Sequence, residues 1–162
     1  EYGVQSDNLR ELLRRVDVTP PSLALAQAAI ESGWGTSRFA QEGNAPFGQW
    51  TTAKFEGLVP QGREAGKTHK VRAYKTINDS VASYLRNLNT HRAYRKFRDV
   101  RASFRSKGTP INSLALAKAL KSYSETGDHY VGLLHRVIRG NDLTSLDQAR
   151  LGSKVMSFHP DA

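Results

Sequence analysis

An alanine-rich helix is predicted between Pro20 and Ser32, in the run PPSLALAQAAIES. Proline is tolerated in a first helical turn, where its missing N–H has no partner within the helix. Leu23, Ala26 and Ile30 share one face, and further alanines keep the other sides thin. Because such a helix has little side-chain bulk, other elements can approach it closely from several directions. We therefore predict that this helix lies at the centre of the fold.

The same helix carries an acid at its end, since Glu31 stands directly before Ser-Gly-Trp-Gly. If Gly33 stops the helix, Glu31 lies in the last turn, near the negative end of the helix dipole. The ionised carboxylate is disfavoured there, and burial against Trp34 and Phe39 would raise its pKa further. A carboxyl group that holds its proton near neutral pH can act as a general acid. The alternative is a helix-end glutamate that points into water, and placement alone does not separate the two.

Further amphipathic helices are predicted on both sides of a segment rich in glycine. One precedes it, in SDNLRELLRRVDV, and the helix of INDSVASYLRNLNT follows it, with Asp79 or Ser80 as its cap. Asn112 or Ser113 is predicted to cap the next helix, and the last helix is predicted from about Tyr130 to Ile138.

Residues 43–74 change character and predict a β-hairpin or a three-stranded lobe. The segment is rich in glycine, with Gly57, Gly62 and Gly66 expected at turns, and it contains short extended patterns such as KVRAY. Helices on both sides of one small β insertion indicate the α+β class, with helix predominant.

Basic residues set the charge of this chain. Lys plus Arg outnumber Asp plus Glu by 24 to 15, a formal charge of +9, which attracts polyanions such as nucleic acid, anionic lipid or bacterial cell wall. These residues concentrate in THRAYRKFRDVRASFRSKG. The segment is either a helix that faces a polyanion or a solvated helix face whose long side chains cover apolar surface.

Composition excludes several other classes. A length of 162 residues favours one domain, and the absence of cysteine excludes disulfides and cysteine chemistry. No run of about 18 apolar residues occurs, so no integral membrane segment is expected. The five histidines have no spacing typical of metal ligands, so we expect neither a metal nor a cofactor.

The run IESGWGTSRFA, followed by NAPFG, resembles the glucosaminidase domains of glycoside hydrolase family 73, and within them the Bax-like branch of bacterial proteins. Matching signals continue in AYKTINDSVASYLRNLNTHRAY and LKSYSETGDHYVGLLHRVI, so that the resemblance covers about residues 20–142. It implies a lysozyme-like α+β fold with a small β-hairpin lobe. We assign residues 1–142 to this domain and 143–162 to a C-terminal tail.

The resemblance implies a peptidoglycan hydrolase, an endo- or exo-acting β-N-acetylglucosaminidase that cleaves glycan strands after N-acetylglucosamine. The catalytic acid of the family occupies the position of Glu31, and Tyr123 matches the tyrosine beside the reacting sugar. Such a substrate implies a periplasmic or extracellular location in the cell envelope, with a targeting segment that is not present in this chain. We expect a monomer and no nucleic-acid partner.

Glycoside hydrolysis usually needs a second carboxylate, as base or nucleophile. The family assigns this role to an acid on the β-lobe, which here offers Glu56 and Glu64. Glu64 is preferred for its distance beyond the NAPFG segment. Alternatively, the acetamido group of the substrate attacks the anomeric carbon. In that case Glu125, close to Tyr123, is a candidate to polarise a group in the cleft.

Trp50, Phe47, Asn44 and Tyr74 are the remaining predicted substrate-binding residues. Flat apolar rings match the C–H faces of pyranoses, and Trp50, at the mouth of the glycine-rich lobe, is the preferred cleft residue. Core packing is the alternative for these rings and is favoured for Phe47 and Trp34. Asn44 begins a motif that commonly reads Asn-x-Phe-Gly in the family, whereas this chain has one more residue before the phenylalanine.

Two other functions are alternatives. A lytic transglycosylase on peptidoglycan also uses a lysozyme-like fold and one glutamate. A non-enzymatic basic module that binds cell wall or nucleic acid would use the charge of +9. That module leaves the acid before a Gly-Trp-Gly turn unexplained, and no established nucleic-acid motif occurs.

Overall fold

A computed structural model of the chain describes residues 2–5, 7–51, 56–63 and 66–149. Within these residues the fold is predominantly helical with one small antiparallel sheet, which confirms the predicted lysozyme-like α+β class. The α-helices described are α1 (Leu9–Arg15), α2 (Pro21–Ser32), α3 (Arg38–Gly43), α4 (Ile77–Thr90), α5 (Arg95–Ser106), α6 (Ser113–Ala117) and α7 (Asp128–Gly140). The strands are β1 (Trp50–Thr51), β2 (Gly57–Leu58) and β3 (Lys70–Arg72), and short 3-10 helices cover Arg92–Tyr94, Lys118–Tyr123 and Leu143–Gln148.

The alanine-rich helix α2 is central, as predicted. It packs against α6, α7 and the 3-10 helix Leu143–Gln148, and both Leu23 and Ala26 are fully buried. Pro20 occupies the N-cap position, with proline again in the first turn. The small side chains of α2 therefore allow the neighbouring elements to pack closely. These packed elements hold α2 in place. None of the helices described is long and apolar enough to cross a membrane.

The first residues of the predicted C-terminal tail dock onto α2. The carboxylate of Asp147 accepts hydrogen bonds from the backbone N–H of Ser22 at 3.0 Å and from its hydroxyl at 2.9 Å. A carboxylate at a helix N-terminus satisfies a backbone N–H that has no partner within the helix. Leu143–Gln148 thereby contributes to the packing around the helix that carries Glu31.

The β-lobe is a three-stranded antiparallel sheet in the order β1-β3-β2. Trp50 pairs with Val71 across β1 and β3, and Gly57 pairs with Arg72 across β2 and β3. Gly57 was expected at a turn but lies within β2. A β-carbon at this position would sit 2.7 Å from the carbonyl oxygen of Val71. Only glycine allows the two backbones to approach this closely.

Helix α4 begins with a capping box and supplies one wall of the core. The N-cap is Thr76, not Asp79 or Ser80 as expected, and Thr76 and Asp79 each bond the backbone N–H of the other. Tyr84 and Leu88 are fully buried and form the inward face of this helix.

Two arginines of the basic segment are buried, a result that neither sequence interpretation predicted. Arg98 is 4% exposed and Arg101 is fully buried. Arg101 donates to backbone carbonyl oxygens in the last turn of α1 and in the segment that follows it, and to Oδ1 of Asn89 on α4. Burial lowers the pKa of Arg101 to about 10, against the opposing effect of Asp17, so the side chain stays charged at neutral pH. Part of the basic segment therefore joins helices together.

Candidate active site

Glu31 lies in the last turn of α2, as predicted. Gly33 ends the helix in the left-handed conformation, with φ of 56°. The hydroxyl of Ser32 donates to the carbonyl oxygen of Ala28 at 2.6 Å and accepts from the N–H of Gly35 at 2.7 Å, which holds the turn that follows. Trp34 was expected to pack in the core beside Glu31, but it is 64% exposed. The ring of Trp34 therefore does not explain the burial of the acid.

Glu31 forms part of the wall of a cavity between the helical body and the sheet. The cavity has a volume of about 410 Å³. Gly48 has a positive φ of 59°, and a β-carbon there would lie 3.9 Å from Oε2 of Glu31, so the backbone passes close to the carboxyl group. The lining residues are Glu31, Phe47, Gly48, Gln49, Trp50, Asn87, His91, Tyr94 and Tyr123.

The structure brings four of the predicted site residues together, namely Glu31, Tyr123, Trp50 and Phe47. Phe47 is 4% exposed and its ring stacks on Tyr84 at a centroid distance of 4.0 Å, which confirms its packing in the core. The hydroxyl of Tyr123 donates to the backbone oxygen of Phe47 at 3.3 Å. Trp50 is 64% exposed, so its ring is available at the mouth of the cavity.

Three other predicted residues are not part of this lining. Asn44 has a left-handed backbone at the end of α3, and its amide donates to the carbonyl oxygen of Tyr74 at 3.0 Å. The hydroxyl of Tyr74 donates to Oε1 of Gln49 at 2.6 Å, so Tyr74 contacts a cavity residue from outside. Glu125 is exposed after the 3-10 helix Lys118–Tyr123. Glu64, the preferred second carboxylate, lies outside the described residues.

A chain of buried polar groups leads to Glu31. Tyr84 donates to Oε1 of Gln27 at 2.7 Å, and Nε2 of Gln27 donates to the hydroxyl oxygen of Tyr130 at 3.0 Å. The hydroxyl of Tyr130 in turn lies close enough to the carboxyl group of Glu31 to lower the pKa of that acid as a hydrogen-bond donor. Because Gln27 supplies a proton to the oxygen of Tyr130, the phenolic proton of Tyr130 is left for the carboxylate. The chain therefore has a direction, with Tyr84 at one end and Glu31 at the other.

Burial raises the pKa of Glu31, and the hydrogen bond from Tyr130 partly opposes that rise. Burial also raises the pKa values of Tyr123 and Tyr130 above their usual range, and the nearby carboxylate of Glu31 raises them further. Both phenols therefore stay protonated and act as donors. The raised pKa favours the protonated form of Glu31, and the carboxylate that forms when Glu31 loses its proton can accept a hydrogen bond from Tyr130.

Sequence reasoning missed several residues of this site. Asn87 lies on α4 and His91, four positions further, is the C-cap residue of that helix, while Gln27 and Glu31 have the same spacing on α2. Residues at this spacing share a helix face, a signal that could have identified both pairs. The contact between α7 and the end of α2, which brings Tyr130 to Glu31, has no local signal. Across the described ranges, no group of three or more His, Asp or Glu side chains is placed to hold a metal ion.

The fold is of the lysozyme-like α+β class, with a half-buried acid in a cavity between the helical body and a small sheet. The chain belongs to the glucosaminidase family, whose model is described as mannosyl-glycoprotein endo-beta-N-acetylglucosaminidase and matches residues 6–143. Membership supports a glycosidase-type enzyme that acts on a glycan.

A curated relative agrees with this assignment. The chain is 37% identical over 133 residues to Protein bax of Escherichia coli (strain K12), a match that covers 80% of the chain and 46% of the relative. The chain thus spans slightly under half the length of that protein. No solved structure matches the chain.

Proposed function

We propose that this domain is a peptidoglycan hydrolase, a β-N-acetylglucosaminidase that cleaves the bond after N-acetylglucosamine with Glu31 as general acid. The observation that carries the proposal is the carboxyl group of Glu31 in the cavity wall, with a pKa raised by burial. A proton donor for a glycosidic oxygen must be protonated near the working pH and must face the substrate. The raised pKa of Glu31 and its position in the cavity wall both support this role.

In this mechanism Glu31 gives its proton to the glycosidic oxygen as the bond to the anomeric carbon breaks. The resulting carboxylate accepts the hydrogen bond from Tyr130, which strengthens as negative charge develops. Tyr123 is proposed to contact the reacting sugar, and Trp50 to stack on a neighbouring pyranose ring. A water molecule then adds to the anomeric carbon and completes the hydrolysis.

The partner of Glu31 in this reaction is a separate proposal. Among the described residues that line the cavity, Glu31 is the only carboxylate. We propose Glu64 as the base that activates water, with attack by the substrate acetamido group as the alternative. A cavity with one carboxylate also suits a lytic transglycosylase, in which the muramyl 6-hydroxyl replaces water. That reaction is the second candidate function.

The products distinguish these reactions. We expect digestion of purified sacculi to release fragments with reducing-end N-acetylglucosamine, measured by mass spectrometry after borohydride reduction. Anhydro-muramyl ends would identify a transglycosylase instead. A Glu64→Gln variant that keeps the wild-type rate would favour the acetamido route.

Because the family description names mannosyl-glycoproteins, a high-mannose glycoprotein serves as the second substrate. Preferential cleavage of the glycoprotein would contradict the peptidoglycan assignment.

A peptidoglycan substrate places the domain in the cell envelope, periplasmic or extracellular, with glycan strands as its partner. The exposed part of the basic surface, for example Arg95 and Lys96 at the start of α5, would help to hold the domain on an anionic wall. We propose that the domain acts as a monomer.

Replacing Tyr130 with phenylalanine should move the alkaline limb of the pH–rate profile upward. The hydrogen bond from Tyr130 lowers the pKa of Glu31, so its loss leaves the burial effect unopposed and keeps the acid protonated to higher pH. We expect kcat to fall about tenfold, because the carboxylate formed in the reaction loses a donor. The measurement is kcat/KM against pH on solubilised glycan strands.

Tyr84→Phe is the matched control for this variant. Tyr84 is as deeply buried as Tyr130 and also bonds to Gln27, but it lies at the far end of the polar chain from Glu31. We expect the alkaline limb of Tyr84→Phe to stay close to that of the wild type. Equal shifts in both variants would contradict a direct effect of Tyr130 on Glu31.

A further inference from the structure

His91 stands at the junction between α4 and the 3-10 helix Arg92–Tyr94, and it lines the cavity that contains Glu31. Its backbone is held on both sides. The N–H donates to the carbonyl oxygen of Asn87 at 2.9 Å, and the carbonyl oxygen accepts from Nη1 of the buried Arg98 at 2.9 Å. The place of His91 in the cavity wall is therefore fixed by the protein itself.

One nitrogen of the His91 ring is also engaged within the protein. Nδ1 accepts from the backbone N–H of Ala93 at 3.3 Å and so caps the short helix that begins at Arg92. A nitrogen that accepts a hydrogen bond must carry its lone pair, and neutral imidazole has one proton for two nitrogens. This hydrogen bond therefore assigns the proton of neutral His91 to Nε2.

The other nitrogen, Nε2, has no hydrogen-bond partner among the residues that the structure describes. It lies at the outer tip of an exposed side chain, so its N–H is open to a ligand. Because this tautomer leaves no lone pair on Nε2, the ring can donate there but cannot take a proton from water. His91 is thus suited to binding a substrate and not to replacing the second carboxylate.

Three rings in the cavity wall form a row that ends at His91. Tyr123 lies close enough to Glu31 for the charge of the carboxylate to raise the pKa of the phenol, in addition to the larger effect of burial. The ring centroids of Tyr123 and Tyr94 are 5.9 Å apart, and those of Tyr94 and His91 are also 5.9 Å apart. Tyr94 is buried, whereas His91 is exposed. A sugar in contact with His91 therefore neighbours the sugar that reacts at Glu31.

The wall around His91 offers uncharged donors. Asn87 lines the cavity one turn earlier on α4. Burial raises the pKa of Tyr94, and Asn87 lies close enough to lower it in part as a hydrogen-bond donor. No lysine or arginine belongs to the described lining. A sugar hydroxyl both donates and accepts, but an amide carbonyl oxygen only accepts. A donor without a lone pair therefore suits the acetamido group of an N-acetyl sugar.

We propose that His91 is a substrate-binding residue, whose Nε2–H donates to the acetamido carbonyl oxygen of the sugar next to the one that reacts. The inference rests on the proposed function and extends it to recognition of the N-acetyl group. Both sugars of a peptidoglycan strand carry this group, so every register of the strand presents an acetamido oxygen to His91. The domain should therefore bind N-acetylated sugars more tightly than sugars with a hydroxyl at the same carbon.

Two amide variants separate binding from capping. The side-chain oxygen in His91→Asn can replace Nδ1 as a cap, since asparagine is a preferred N-cap residue, but the shorter side chain does not reach the position of Nε2. The longer side chain in His91→Gln can place its N–H₂ group near that position and caps poorly.

For His91→Asn we expect KM on glycan strands to rise about tenfold with little change in kcat, because a hydrogen bond to the bound sugar is lost. Its Tm should equal that of the wild type. For His91→Gln we expect KM to stay near the wild-type value and Tm to fall by about 2 °C. A residue that only caps the helix gives the opposite order, with the higher KM in His91→Gln, and that result overturns the proposal.

Failure of the proposed function is a separate result, in which the wild type cleaves no peptidoglycan. Calorimetry with two neutral β-1,4-linked disaccharides, one of N-acetylglucosamine and one of glucose, then tests His91 by itself. Tighter binding of the N-acetylated disaccharide, weakened about tenfold in His91→Asn and restored in His91→Gln, supports the proposal. Equal binding of both disaccharides by the wild type, or undiminished binding by His91→Asn, contradicts it.

Discussion

The Glu31→Gln variant is expected to lose between about a hundredfold and ten-thousandfold of its kcat on purified sacculi, the range that general acid catalysis contributes. Glutamine fills the same space but has no proton to give to the glycosidic oxygen. KM should change little, because the amide keeps the shape of the cavity wall. The measurement is the rate at which reducing-end N-acetylglucosamine appears. Full activity of this variant would overturn the assignment of the acid.

The stability of the same variant provides an independent check. Burial raises the pKa of Glu31 in the folded protein, so the carboxylate form destabilises the fold. The wild type therefore loses stability relative to Glu31→Gln as the pH rises from the unfolded pKa through the folded one. We expect the variant to be at least as stable as the wild type at pH 8, and the two to converge near pH 4, as measured by thermal unfolding.

Glu42→Gln is the matched control, since Glu42 is an exposed carboxylate of α3 that pairs with Arg38 at 3.4 Å. It undergoes the same chemical change outside the cavity. Activity and the pH dependence of stability should both stay at the wild-type values. A comparable loss of activity in this variant would mean that the effect of Glu31→Gln is not specific to the site.

Replacing Arg101 with methionine is expected to lower the free energy of unfolding by about 3 kcal/mol. Arg101 is fully buried, and its guanidinium group donates to the carbonyl oxygen of Arg14 in α1 and to those of Asp17 and Val18 after it. Methionine fills much of the volume but leaves these buried acceptors without a donor. Urea unfolding at pH 7 measures the change, with the denaturant dependence of the free energy expected to stay constant.

Arg105→Met is the matched control for Arg101→Met, because it removes the same positive charge from an exposed side chain of α5. Arg105 lies one turn further along α5, and its side chain is 53% exposed while it pairs with Asp17 at 2.7 Å. An exposed ion pair contributes little, so we expect a loss below about 1 kcal/mol. If both variants lose the same free energy, the buried hydrogen bonds of Arg101 do not carry the stability assigned to them.

Local sequence signals predicted the helical elements well, because each depends on neighbouring residues. The alanine content of α2 indicated its central position, and the glycine at position 33 indicated its end. The spacing of Tyr84 and Leu88 is typical of one helix face, and both side chains are fully buried. Errors occurred where a local pattern had two solutions, as with Gly57, which suits a turn or a close strand pairing equally well.

The candidate site was only partly predictable, since its geometry depends on contacts between distant parts of the chain. Gln27 and Tyr130 lie 103 positions apart, yet their hydrogen bond directs a phenolic proton toward the acid. The basic segment posed a similar difficulty, because charge content did not distinguish the buried Arg101 from the exposed Arg105. Trp34 was placed in the core on its apolar character, but the left-handed turn that follows α2 leaves it exposed.

The sequence by itself determined that a glutamate ends a thin central helix and that a small glycine-rich lobe follows it. These features depend on helix periodicity and on the backbone freedom of glycine, which act over a few residues. Tertiary structure alone decided the surroundings of Glu31. The packing of α7 against α2 brings Tyr130 to the carboxyl group, and residues of the sheet and of α4 complete the cavity wall. Burial, which raises the pKa of this acid, exists only once those distant elements have packed together.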